Sequence, residues 1–191
     1  MEKERLSRFD EIVNMGKEGQ EALNQYWLDY ALYSFFEYWL MVSFLGFPLI
    51  FLILKINKEK LFQILFFGYS VHICFGYEDL FGRNMGFWNY PIPVIPSLPG
   101  ISLDSSLIPV IFIFVYQSTL NSNKKYYLYG TITAVILAFA FKPMLVGLGL
   151  FRMYGSISYY HLFFSYVSVF IFAKLMTDLF IWIKKWYRTS D

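Results

Sequence analysis

One cysteine in 191 residues, Cys74, leaves no partner for an intrachain disulfide and no thiolate cluster for a metal. Only two histidines accompany it, His72 and His161, and neither an HExxH motif nor any other metal-ligand spacing occurs, so no metal and no cofactor is expected. The patterns that cradle phosphates or raise a nucleophile are missing too: there is no Walker loop, no GxGxxG and no GxSxG. Charge is scarce. Charged residues make up 16% of the chain and sum to +2, in short clusters that form no stripe, which gives nucleic acid nothing to grip.

What is abundant is apolar surface, 57% of residues, with 23% aromatic, and it is gathered in long runs. Such runs predict an all-α membrane protein, multi-pass in the cell membrane, built as a five-helix transmembrane bundle over residues 31–184. The expected spans are about 32–54, 61–82, 105–120, 126–151 and 158–183, each near the ~20 residues needed to cross ~30 Å of hydrocarbon. The third is short and can begin in the preceding loop. No secretory signal peptide is expected, because the first apolar run is too long for one.

Basic residues set the orientation. Lys55, Lys58 and Lys60 follow the first run, Lys124 and Lys125 the third, and Lys184, Lys185 and Arg188 the fifth, whereas the opposite loops carry only Arg83 and Arg152. The positive-inside rule then puts these clusters and the tail 185–191 in the cytoplasm and the N-terminus outside. Residues 1–30 are polar and net acidic, with Leu6, Phe9, Val13 and Leu23 near helical spacing. They predict an amphipathic helix that either lies on the membrane, touches a partner protein or a second copy, or is simply a solvated lead-in.

The outer loop Arg83–Asp104 carries Pro91, Pro93, Pro96 and Pro99 at short intervals, which excludes helix. With Trp88, Tyr90, Val94, Ile95 and Leu98 it is too apolar to float in water, so it serves either as a lid over the bundle's outer mouth or as an interfacial anchor. Pro48 and Pro143 should each free a backbone carbonyl inside a helix, and Gly147 and Gly149 should allow close packing nearby.

Ionisable residues within spans are costly and by default face partners in the interior. Glu37, His72, Glu78, Asp79, Lys142 and His161 come from four helices, yet all fall in the outer half of the bilayer beneath the proline-rich loop. They define a candidate ligand pocket with Trp88 and Tyr90, in which Lys142 pairs with Glu37 or Asp79 while His161 and Glu78 handle a proton or a polar headgroup. In the inner half, Lys174 and Asp178 stand four apart and neutralise each other.

The run G76-Y-E-D-L-F-G-R-N-M-G-F-W-N-Y-P91, with L-I-P109, V-Y-Q117 and F139-A-F-K-P143, resembles a family of small multi-spanning proteins of endospore-forming Firmicutes. The matched signature is Asp79, Trp88, Tyr90, Pro91, Tyr116 and Gln117, and the resemblance covers spans two to five. Lys142 replaces the glutamate that often precedes proline in that family, and the family brings no activity with it. A fainter likeness joins Asp79, Gly86, Trp88, Tyr90 and Pro109 to the membrane-embedded lycopene cyclases, although Val110 and Ile111 stand where those enzymes have an acidic pair. It implies an isoprenoid or lipid-like ligand. The chain is thus expected to bind such a molecule, with membrane lipids as partners, and to have no enzymatic activity; the alternatives are an enzyme acting on a membrane-dissolved substrate and, last, a transporter.

Overall fold

The computed structural model describes residues 2–32 and 36–188, without the side chain of Arg188. The polar N-terminal segment and the five apolar runs become helices: α1 (Glu2–Tyr30), α2 (Phe36–Lys55), α3 (Leu61–Asn84), α4 (Leu103–Ser118), α5 (Asn123–Gly147) and α6 (Tyr159–Arg188). Trp88–Asn89 (β1) pairs antiparallel with Arg152–Met153 (β2) and ties the α3–α4 and α5–α6 loops together. Among the described residues α2, α5 and α6 are long and apolar enough to cross a membrane, and α4 is a shorter apolar helix of about 24 Å. The first expected span started at residue 32, and its first residues, 33–35, lie outside the described ones.

One end of the bundle gathers the α2–α3 turn, the α4–α5 turn and the end of α6. Gln117 at the end of α4 accepts from Asn57 N–H at 2.7 Å and donates to the Lys55 carbonyl at 3.1 Å, clamping that turn. The other end gathers the end of α3, the proline-rich loop and the α5–α6 loop. Between them the interior is filled by aromatic rings, since a thin bundle gains most burial per position from Phe and Tyr. Phe67 stacks on Tyr116 at 4.2 Å, while Phe75, Phe112 and Phe170 form a second row.

Prolines shape α4 and α5. Residues Leu103–Leu107 and Leu137–Phe141 wind as wide π turns, and in each the residue before the proline donates to the carbonyl five back: Ile108 to Leu103, Lys142 to Leu137. Pro109 and Pro143 lack the N–H that an ordinary turn would use next, so the wider turn keeps the helix running without a break. In α2 the Ser106 hydroxyl donates to the Leu45 carbonyl at 2.7 Å, beside the turn that Pro48 loosens.

The fourth apolar run ends as a helix at Gly147, short of residue 151, because Gly149 takes a left-handed φ of 70° that turns the chain into β2. Gly147 and Gly149 have no neighbour within 4 Å of where a Cβ would sit, so they are not the close-packing positions expected. The N-terminal segment is helical as predicted, but it has no buried residue, and Leu6, Phe9 and Val13 are exposed. Among the described residues its last turns meet the rest: Trp27 Nε1 donates to the Pro93 carbonyl at 2.8 Å, and the indole lies against Tyr38.

Candidate functional site

The buried positions of α3 run Ile64, Phe67, Gly68, Val71, Phe75, Asp79 and Gly82, three and four residues apart. Asp79 therefore sits on the same inward stripe as the core phenylalanines, and its charge has to be met inside the protein. Three donors meet it. Arg83 Nε, one turn on, is 2.7 Å away; Trp88 Nε1 is 3.0 Å and the Tyr90 hydroxyl 2.9 Å away. Burial and the neighbouring Asp104 and Asp79 carboxyls push the Tyr90 phenol well above its ordinary pKa, so it stays a donor.

Two glycines make this arrangement fit. A Cβ on Gly82 would lie 2.0 Å from the Trp88 ring, so the indole rests directly on the α3 backbone. A Cβ on Gly100 would lie 2.2 Å from Asp104 Oδ2 and 2.8 Å from Asp79 Oδ2, so the two carboxyls converge on the space that the missing side chain leaves. Asp104 arrives there because it lies in the first wide turn of α4 and is buried.

Lys142 follows the second wide turn and is 4% exposed. Its ammonium sits 3.6 Å from the centroid of the Phe151 ring and 5.6 Å from that of Tyr90, a cation over ring faces. Among the described residues no carboxylate oxygen comes within 4.0 Å of it; it faces Asp104, Asp79 and Glu78 across a cavity of about 20 Å3. That volume holds about one water and no acyl chain. Ser165 and Tyr166 of α6 complete the wall.

Of the residues singled out in the sequence, Glu78, Asp79, Trp88, Tyr90 and Lys142 thus line one cavity. Glu37, His72 and His161 stand outside its lining. Glu37 occupies the first turn of α2, where a carboxylate complements the helix dipole. His161 is exposed and its Nδ1 accepts from Ser158 N–H at 3.1 Å, capping the start of α6. His72 Nδ1 lies 2.9 Å from the Asp104 carbonyl, which must accept, so the proton is on Nδ1. That carbonyl has lost its helical donor, because Ile108 N–H bonds to Leu103 and Pro109 has none to give. His72 is the substitute.

Sequence reasoning missed Asp104, Ser165, Tyr166, Phe151 and the pairing role of Arg83. Asp104 carried no signal of its own, because nothing in the composition marks the wide turn that brings it inward. Ser165, Tyr166 and Phe151 lie in aromatic surroundings that look alike along the chain.

A second and larger cavity, about 250 Å3 and open on one side, lies on the other face of the proline-rich loop. Tyr26 and Trp27 of α1 form one wall, Pro91, Pro93, Pro96 and Pro99 another, and Arg152 stands at its edge. Tyr90 lines both cavities, with its hydroxyl on Asp79 in the inner one. No protein-family model, no curated protein and no solved structure matches the chain.

Proposed function

We propose that the chain crosses the cell membrane five times, N-terminus outside, and binds a lipid-like amphiphile at its outer end, in the cavity between Trp27 and the proline-rich loop. The observation that carries this is the cavity's construction. Aromatic and proline faces supply an apolar lining of about 250 Å3, Arg152 supplies a cation for an anionic or strongly polar head, and the space opens to one side as a membrane-dissolved ligand requires. Membrane insertion is supported by α2, α5 and α6, and by large apolar side chains such as Phe47, Ile53 and Leu54 that are about 70% exposed. α3 fits as a further span because Asp79 and Glu78 turn toward the cluster. The residues that carry the likeness to the multi-spanning Firmicutes family and to the lycopene cyclases, Asp79, Trp88 and Tyr90, form one hydrogen-bonded group.

Native mass spectrometry after mild detergent extraction tests the ligand. A lipid-like species should be retained by the wild type and lost on Trp27→Ala, with the melting temperature rising when lipid extract is added back. No retained species and no thermal shift in the wild type would remove the proposal. Orientation has its own test in a Cys74→Ala background: Ser97→Cys and Ser156→Cys should react with an impermeant thiol reagent in intact cells, and Lys58→Cys and Ser122→Cys should not. The opposite pattern inverts the protein.

An enzyme remains the second reading on one observation: three carboxyls, Glu78, Asp79 and Asp104, face two cations, Arg83 and Lys142, around room for a water. Charge balance there calls for a proton, and Glu78 and Asp104 are the acid–base candidates because Asp79 is already held by three donors. Lipid and pigment profiles that do not differ between cells with and without the protein would exclude it. A transport path has no comparable support, since the axis beneath the cluster is filled by Phe75, Phe112 and Phe67.

A further inference from the structure

The basic end of the bundle holds two adjoining recesses that the outer site does not use. One, about 340 Å3, is polar, with Gln63, Asn123, Lys174 and Lys185 on its wall. The other, about 420 Å3, is a groove between the start of α3 and the end of α6, floored by Phe62, Phe66 and Phe180 and rimmed by Lys184 and Lys185. Gln63, Ile181 and Lys185 belong to both, so the recesses share a wall. Phe62 is 87% exposed, the floor is continued by the Phe66–Phe180 contact at 5.1 Å, and Lys58 and Lys60 lie just before Phe62 in the chain.

We infer that this groove is a binding site for an anionic phospholipid of the inner leaflet, with its acyl chains along Phe62, Phe66 and Phe180 and its phosphate between Lys184 and Lys185. The occupant follows from charge complementarity. Lys184 and Lys185 stand on the groove's wall, Lys58, Glu59 and Lys60 come just before Phe62 in the chain, and Asp178 is paired with Lys174. An apolar groove that ends in cations at headgroup height matches an amphiphile with an anionic head, and a zwitterionic head gains much less from it. Polar groups of the adjoining recess, Gln63 and Asn123, stand where the rest of a headgroup would lie. Chain packing positions the lipid, and the lysines select it. Higher salt weakens the selection more than the packing.

The site rests on the membrane reading, and the two can fail separately. If the full chain is washed from membranes by alkaline carbonate, the membrane reading falls. The lipid site is tested on detergent-solubilised full-length protein by native mass spectrometry, with dioleoyl phosphatidylglycerol and dioleoyl phosphatidylcholine at equal concentration. Wild-type protein should retain phosphatidylglycerol about tenfold better, and Lys184→Gln with Lys185→Gln should abolish most of that preference. Lys124→Gln with Lys125→Gln removes the same charge at the same end but outside the groove, and should leave the preference intact. All four lysines are exposed, so folding is not at stake. Equal retention of the two lipids, or equal loss in both double variants, would overturn the site and leave only diffuse surface attraction.

Discussion

The two ends of this bundle handle buried charge in opposite ways. At the end that carries the proline-rich loop, Asp79, Asp104, Glu78 and Lys142 come from three helices around space for about one water, with Arg83 reaching out at 20% side-chain exposure. At the end that carries the lysine-rich turns the buried cation is Lys174, and it is matched by Asp178 one turn later on the same helix, with the carboxylate 45% exposed. The contrast teaches that depth alone does not decide how much a charge matters. A pair on one helix near water is self-sufficient, whereas charges that converge from different helices hold one another and the fold in place.

The largest expected effect is at Lys142. Lys142→Met leaves three carboxyls, two of them buried, against Arg83 and should destabilise the protein by about 3–5 kcal/mol, read as thermal unfolding in detergent. Adding Asp104→Asn should recover much of that loss, and a double variant no better than the single one would show that the ring faces of Phe151 and Tyr90, not the carboxyls, hold the ammonium. Lys174→Met is the counterpart at the other end. It strands a carboxylate that is already half in water, so it should cost under about 1 kcal/mol. Similar losses at the two lysines would erase the contrast.

Gly82→Ala comes next. The new methyl overlaps the Trp88 ring, so the indole has to leave Asp79, at about 2–3 kcal/mol and with a red shift in Trp88 emission measured against a Trp88→Phe control. An unshifted spectrum would mean that the loop is not seated on α3. Smaller still, His72→Ala should cost about 1–2 kcal/mol by leaving the Asp104 carbonyl without a donor. Its effect should be insensitive to the state of Lys142, because it acts on the backbone of the wide turn; strong coupling between the two would place His72 in the cluster itself.

Helix positions were largely legible in the sequence, because apolar runs and the lysines between them report on lipid and water directly. α3 begins at the expected Leu61, and α6 begins within one residue of expectation. The site was legible in height and not in direction. Glu37 is expected at a suitable depth but does not line the cavity, since rise per residue carries no azimuth when all faces of a helix are apolar. On α3 the stripe through Phe75 and Gly82 does fix the azimuth of Asp79, once Gly82 is recognised as the seat of Trp88. Asp104 was assigned to the loop because the wide turn that carries it is a response to Pro109, and a π turn has no composition of its own. The room under the loop was not legible at all: whether a polar cluster leaves space for a water or for a ligand depends on rotamers.

Cluster assembly across helices also has a consequence for biosynthesis. In the proposed five-span arrangement, α3 is completed while Asp104 and Lys142 are still unmade, so the nascent helix brings Glu78 and Asp79 to the membrane with Arg83 as its one counter-charge. The following segment adds a further acid before any base arrives, and the deficit narrows to a single charge only when α5 delivers Lys142. Until then α3 is a poor candidate for release into lipid and has to wait beside the translocation machinery, where water still reaches its acids. A chain that stops before Lys142 would therefore carry a visible defect, an uncompensated acidic patch at bilayer depth, by which cellular quality control can tell unfinished copies from finished ones.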